Sequence, residues 1–172
     1  MSTLREWLDL MSLTWETPYL SVSYEPCQRF LTLHRKLPYS VFEVDHTSCL
    51  DDKAFFHWHG RTYAAAALDV LARCLNEVSM AGMIPYRLRV KMFLPKGNHG
   101  VAREVLRAFA IECQDRHISL IIFDENTNPS QCCFEITASV TAFTTELVDN
   151  RFRQGDVLVG IASSGLHYDR FD

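Results

Sequence analysis

Two histidines separated by one tryptophan are the first residues whose types and spacing could bind a metal ion. In an extended His57-Trp58-His59 segment both imidazoles lie on one face, and His46 is close by in the sequence. Imidazole nitrogens are common zinc ligands, but zinc sites usually add a cysteine or a carboxylate at a recurrent spacing. This segment has no such spacing, so we favour surface histidines beside a packed tryptophan over a metal site.

Adjacent cysteines form a second candidate for chemistry, because a thiolate is a strong nucleophile. Cys132 and Cys133 stand side by side, yet no histidine and aspartate arrangement in the sequence points at either one. The N-terminus carries Arg5, Glu6 and Asp9, which interrupt the apolar run that a secretion signal needs. The six cysteines are therefore predicted to be reduced thiols of a cytoplasmic protein, several of them in the core.

The overall composition is that of a globular domain. The chain has 172 residues, of which 48% are hydrophobic and 22% are charged, enough for one domain with a substantial core. The formal net charge of −4 argues against a general nucleic-acid-binding role. No apolar stretch approaches the length of a membrane span. We therefore expect neither nucleic acid nor membrane as a partner.

The elements that must position any site follow from hydrophobic periodicity. Residues 61–82 place apolar side chains on one helical face and end at Gly82, which predicts a helix. Residues 85–94 alternate strictly, with Tyr86 and other apolar residues on one side and basic residues on the other. That strand is predicted to have one buried face and one wet, basic face. The basic residues are Arg87, Arg89 and Lys91.

The remaining periodic segments complete an α+β fold. Two further helices are predicted, a short one at the N-terminus and a longer one after the basic strand, spanning 3–13 and 98–116. Five further strands are predicted at 19–25, 38–46, 118–124, 132–147 and 157–162, with a loop at 125–131. We expect a mixed or antiparallel sheet with the two main helices on one face.

Three stretches resemble the AIR synthase (phosphoribosylformylglycinamidine cyclo-ligase) family and its PurM-like N-terminal domain. They are ALDVLARCLNEVSMAGMIPYRL, FEITASVTAFTTE and GDVLVGIASSGLH. That family also includes selenophosphate synthetase, thiamine-monophosphate kinase and a hydrogenase-maturation ATPase. The resemblance implies a divergent extension at 1–37, the family's N-terminal domain at 38–154, and the first strand and turn of a missing C-terminal domain at 155–172.

The resemblance also implies an ATP- and Mg²⁺-dependent cyclo-ligase of purine biosynthesis. Asp45, Asn76, Glu77 and Glu125 match the family's nucleotide-binding positions, and Asp45 and Glu77 match its metal-binding ones. The turn before the chain's end matches substrate-binding positions. These are Ser164, Gly165 and His167. No residue is assigned a catalytic role.

The sequence departs from the family where glycines would let backbone N–H groups approach phosphate. His46-Thr47 and Phe123-Asp124 stand at those positions. We therefore expect weak or absent ATP binding and no turnover by this chain alone. The alternative is a degenerate, non-catalytic homologue that acts as a dimerisation or partner-binding module. Either way the resemblance implies a homodimer, or a heterodimer with a longer relative.

Overall fold

The computed structural model describes residues 2–27, 30–51, 62–93, 99–126, 134–148, 151–157 and 159–160. The elements are three helices and six strands within these residues. The helices are α1 (Ser2–Ser12), α2 (Tyr63–Met80) and α3 (His99–Asp115). The strands are β1 (Leu20–Glu25), β2 (Phe30–Arg35), β3 (Phe42–Asp51), β4 (Ile84–Phe93), β5 (Ser119–Asn126) and β6 (Glu135–Thr144).

The main sheet has four strands in the order β3-β6-β4-β5. Strand β6 is antiparallel to both β3 and β4, whereas β4 and β5 are parallel and are joined through α3. Strands β1 and β2 form a separate antiparallel hairpin. The predicted mixed sheet with two main helices on one face is confirmed.

One face of the sheet forms the core with α2 and α3. Leu88, Val90 and Met92 of β4 are buried, while the residues between them remain partly exposed, as strand alternation requires. Alternate β6 residues join the same core, and Cys74 of α2 donates its Sγ–H to the Ala138 carbonyl oxygen at 3.4 Å. On the opposite face, polar side chains of β3, β6 and β4 lie side by side, and the apolar Phe143 is buried at one end.

Helix α2 is capped at its N-terminus and is followed by a glycine in a left-handed conformation. Thr62 caps its N-terminus by accepting the Ala65 N–H at 3.1 Å, and Glu104 of α3 accepts the Ala64 N–H at 3.1 Å. These two bonds satisfy first-turn donors that have no partner inside the helix. Gly82 follows the helix with a φ of +69°, which confirms the predicted stop.

Four predicted features differ from the structure. Strand β3 continues to Asp51, so Asp45 lies mid-strand instead of at a strand end. Strand β2 has no counterpart among the predicted strands. Glu125, predicted to lie in a loop, belongs to β5 and pairs with Met92. The predicted strand 157–162 is not formed at its described residues, since Val157 and Val159 are unpaired and mostly exposed.

Several predicted site residues lie outside the described part of the chain. They are His57, His59, Cys132, Cys133, Ser164, Gly165 and His167. Among the helices that are described, none is both long and apolar enough to cross a membrane.

Candidate functional site

The candidate site is a polar cluster on the sheet face opposite the helices. Its six residues are Asp45, Thr141, Arg87, Thr47, Ser139 and Arg89. Cross-strand pairing builds it in two rows, because directly opposed residues on neighbouring strands share a face. The first row joins Asp45 of β3, Thr141 of β6 and Arg87 of β4. The second joins Thr47, Ser139 and Arg89 in the same strand order.

The Asp45 carboxylate of the first row lies near two guanidinium groups, that of Arg87 in its own row and that of Arg89 in the second. Thr141 donates its hydroxyl to Asp45 Oδ1, and Arg87 donates to Thr141 Oγ1 through Nε at 3.1 Å and Nη2 at 2.9 Å. Asp45 Oδ1 lies 4.0 Å from Arg87 Nη2 and 3.8 Å from Arg89 Nη2. The side chain of Asp45 is 51% exposed, so the cluster is open to water.

The second row holds hydroxyl groups beside the second guanidinium. Thr47 donates its hydroxyl to Ser139 Oγ at 3.0 Å. Arg89 Nε is buried and lacks a hydrogen-bond partner within the described residues. Buried donors are normally paired, because an unpaired one forfeits its bonds to water. The cluster therefore carries more hydrogen-bond donors than the described protein satisfies.

A bulge in β4 lies at one end of the polar cluster. The register shifts between Pro85 and Arg87, and Tyr86 between them is buried, as the sequence alternation predicted. Its hydroxyl donates to Glu43, which also pairs with Arg35 at 2.7 Å, and its ring packs edge-on against Phe143. Burial, followed by the hydrogen bond to the Glu43 carboxylate, raises the pKa of Tyr86 to about 12.

The sequence-predicted nucleotide and metal residues do not come together. Asp45 belongs to the polar cluster, whereas Asn76 and Glu77 are exposed on α2, across the sheet. The core side chains between α2 and the sheet, and the sheet itself, separate Asp45 from these two residues. Glu125 lies in β5, at the far edge of the sheet from β3.

A magnesium ion does not fit this arrangement. Within the described residues there is no group of three or more histidine, cysteine, aspartate or glutamate side chains that could hold a metal. Mg²⁺ prefers several oxygen ligands, but the charged neighbours of Asp45 are Arg87 and Arg89, which would repel it. The positions expected to form phosphate loops are regular strand instead. His46-Thr47 lies in β3, and Phe123-Asp124 lies in β5.

The roles of Thr141, Ser139 and the two arginines were not predicted as a site. The basic alternation of β4 was visible in the sequence, and so was the alternation of β6. What could not be seen was that β6 lies between β3 and β4, so that Thr141 bridges Asp45 to Arg87. Strand order, and with it the cluster, is a property of the folded chain.

A groove of about 500 Å³ runs between α2 and α3 on the helix side. Leu68 and Ile111 are among its lining residues and are partly exposed. The Glu104 carboxylate, which also lines the groove, accepts the Ala64 N–H at the N-terminus of α2. The groove therefore offers apolar surface but no described arrangement suited to catalysis.

Comparison with known proteins gives the fold. No protein-family model matches the chain, and no curated protein matches it. Among solved structures, thiamine-monophosphate kinase from Stenotrophomonas maltophilia K279a matches with a TM-score of 0.63 at 12% identity, over 80% of this chain and 42% of that one. The Aquifex aeolicus thiamine monophosphate kinase matches with a TM-score of 0.56 at 13% identity, over 64% and 37%. The chain has the PurM-like fold.

A third structure belongs to the same fold. Hydrogenase maturation protein HypE in complex with ATP matches with a TM-score of 0.55 at 16% identity, over 83% of this chain and 40% of that one. The chain thus spans about two fifths of the length of these structures. The resemblance to the AIR-synthase-related family is confirmed at the level of fold, whereas AIR synthase as the specific relative stays a prediction.

Proposed function

We propose that this chain is the N-terminal half of an ATP-dependent enzyme of the AIR synthase type, and that it is inactive alone. The observation that carries the proposal is the shared fold. Three structures of this fold are matched over 64% to 83% of this chain, and one of them is in complex with ATP. The cyclo-ligase reaction of purine biosynthesis is the specific activity that the sequence resemblance adds.

Inactivity of the isolated chain rests on the site geometry. ATP-dependent phosphoryl chemistry needs carboxylates that hold Mg²⁺ on the phosphates. Asp45 is bonded to Thr141 and lies beside two guanidinium groups, and Glu77 is on the other side of the sheet. Any working site therefore draws its metal ligands and phosphate loop from beyond these described residues.

The second candidate is a non-catalytic homologue that works by association. The charges around Asp45 favour this second candidate. Two arginine side chains lie beside this carboxylate, where a metal-binding carboxylate would have the metal ion. The polar sheet face carries acids on β3 and cations on β4. Such a face is complementary to its own copy under two-fold symmetry. The partner in this reading is a second copy or a longer relative.

ATP hydrolysis separates the two candidates. The polypeptide is purified from its native source, its intact mass is measured, and release of phosphate from ATP with Mg²⁺ is compared with that of the 172-residue chain. The first candidate expects turnover only in a preparation that contains a longer polypeptide. Absence of turnover in both preparations, with a dimer found by sedimentation, would favour the second candidate. Turnover by the 172-residue chain alone would contradict both.

A further inference from the structure

The helix side of the molecule carries a ridge, helix α3, with a groove on each side. The groove between α2 and α3 measures about 500 Å³, and a second groove of about 440 Å³ lies between α1 and α3. We propose that this helix surface binds the same surface of a second copy of the chain. The proposed function places association on the opposite, polar sheet face, so this inference goes beyond it and does not depend on it.

Exposed apolar side chains follow the grooves from one helix to the next. Leu13, directly after α1, is 58% exposed, Ile111 of α3 is 50% exposed, and Leu68 of α2 is 37% exposed. Single exposed apolar residues are common on protein surfaces, but Leu13 and Leu68 line separate grooves that both include Ile111. Burying this contiguous set against another apolar surface is favourable because it removes the side chains from water.

The shape of the surface suits packing of helices on helices. Helices pack by placing the side-chain ridges of one into the grooves of the other. Arg107 and Ile111 lie one turn apart on α3, and both line the groove on either side of it. Each copy therefore offers a ridge and the grooves beside it. Two identical surfaces of this kind can pack reciprocally, as an interface with two-fold symmetry requires.

Most charged groups that line the grooves already have partners in the same chain. Arg103 Nε lies 2.7 Å from Glu6 Oε1, which joins α3 to α1 at the second groove. Glu104 accepts a backbone N–H of α2 at 3.1 Å across the first groove, and Glu112 pairs with Arg116. These contacts connect the three helices, so the grooves are formed before a partner binds and little ordering is required.

Asp9 and Arg107 are the remaining charged residues of the groove linings. In the described part of the chain, the Asp9 carboxylate and the Arg107 guanidinium make no ion pair and no hydrogen bond. One is negative and the other positive, so two-fold symmetry can place Asp9 of each copy beside Arg107 of the other. A strongly acidic or strongly basic partner would match only one of them. This charge complementarity identifies the occupant as a second copy.

Charge reversal at these two positions tests the inference by sedimentation velocity over a range of protein concentrations. Asp9→Arg and Arg107→Glu should each bind their own copy about tenfold or more weakly than wild type does, because each variant creates two like-charge contacts across the symmetry axis. A one-to-one mixture of the two variants should recover the wild-type affinity, since every contact between them joins opposite charges. An attraction within one chain cannot produce this recovery on mixing.

Asp115→Arg is the matched control, because it reverses an exposed charge of α3 that lines neither groove. Its association should equal that of wild type. Far-ultraviolet circular dichroism and chemical denaturation establish that all three variants fold.

The outcomes separate this surface from the polar sheet face. Equal association of wild type and both charge-reversal variants is what a sheet-face dimer alone would give, and it would overturn the inference. So would a mixture that sediments no faster than its two components. Wild type that shows no association at all would also overturn it and would leave a different protein as the occupant. ATP turnover plays no part in the measurement, so failure of the proposed function would leave its result intact.

Discussion

Trp15 donates its indole N–H to the backbone carbonyl of Leu120 at 3.0 Å, across 105 positions of sequence. The neighbouring Thr14 accepts the Leu120 N–H at 2.8 Å, and Met11 Sδ lies 3.2 Å from the Ile122 nitrogen. Leu120 belongs to β5, an edge strand of the main sheet. Residues 11–15 thus contact backbone groups of β5 with which another strand could otherwise pair. They cover part of an edge of the sheet to which another chain could add.

Removing the Thr14 hydroxyl should therefore destabilise the fold and expose the β5 edge. We expect Thr14→Val to lower the free energy of unfolding by about 1–3 kcal/mol, because the buried Leu120 N–H loses its acceptor. Urea denaturation measures the change, and light scattering reports association. Thr14→Ser keeps the hydroxyl and serves as the control. Equal stability of Thr14→Val and wild type would show that this contact does not secure the edge.

The long periodic elements were predictable because burial imposes their periods. Helix α2 and strand β4 lie within two residues of their predicted bounds, since each buries one continuous apolar face. The continuation of β3 beyond His46 was missed because successive residues such as Thr47 and Ser48 are both polar. The strand therefore lacks the alternation of polar and apolar residues from which strands are predicted. Tyr86 is buried, as the alternation predicted, but its bond to Glu43 and the register shift beside it were not predicted. A bulge inserts one residue into a strand without any mark in the hydrophobic pattern.

Exposed cysteines should be alkylated faster than buried ones. Burial raises the pKa of Cys74 to about 11 and that of Cys113 to about 12, so little thiolate is present near neutral pH. Cys27 and Cys49 are exposed. We expect iodoacetamide to label these two quickly at pH 8 and to label Cys74 and Cys113 only after denaturation. Peptide mass spectrometry over time assigns each site, and early labelling of Cys113 would contradict the described core.

Tyr86 should make the fold sensitive to alkali. Its pKa is raised from 10.0 to about 12 in the folded protein, so the folded chain retains a proton that the unfolded chain releases between these values. Stability is fully present below about pH 10 and falls as the pH rises toward 12. We expect Tyr86→Phe to show a flatter loss of unfolding free energy over that range. Coincident pH profiles for the two proteins would refute the assignment.

Two glycines should respond in opposite directions to the same substitution. Gly82 has a φ of +69°, and a Cβ built on it would lie 2.6 Å from Val148 Cγ2, so alanine there meets both backbone strain and a clash. Gly100 lies in the first turn of α3, and a Cβ there would meet nothing within 4 Å.

We therefore expect Gly82→Ala to lower the free energy of unfolding by about 1–2 kcal/mol or more, whereas Gly100→Ala should raise it by about 0.5–1 kcal/mol. Paired urea denaturation curves measure both variants against wild type. Because the substitutions add the same methyl group, any difference in sign comes from local conformation and packing. A stabilising Gly82→Ala would show that the turn between α2 and β4 does not have the described geometry.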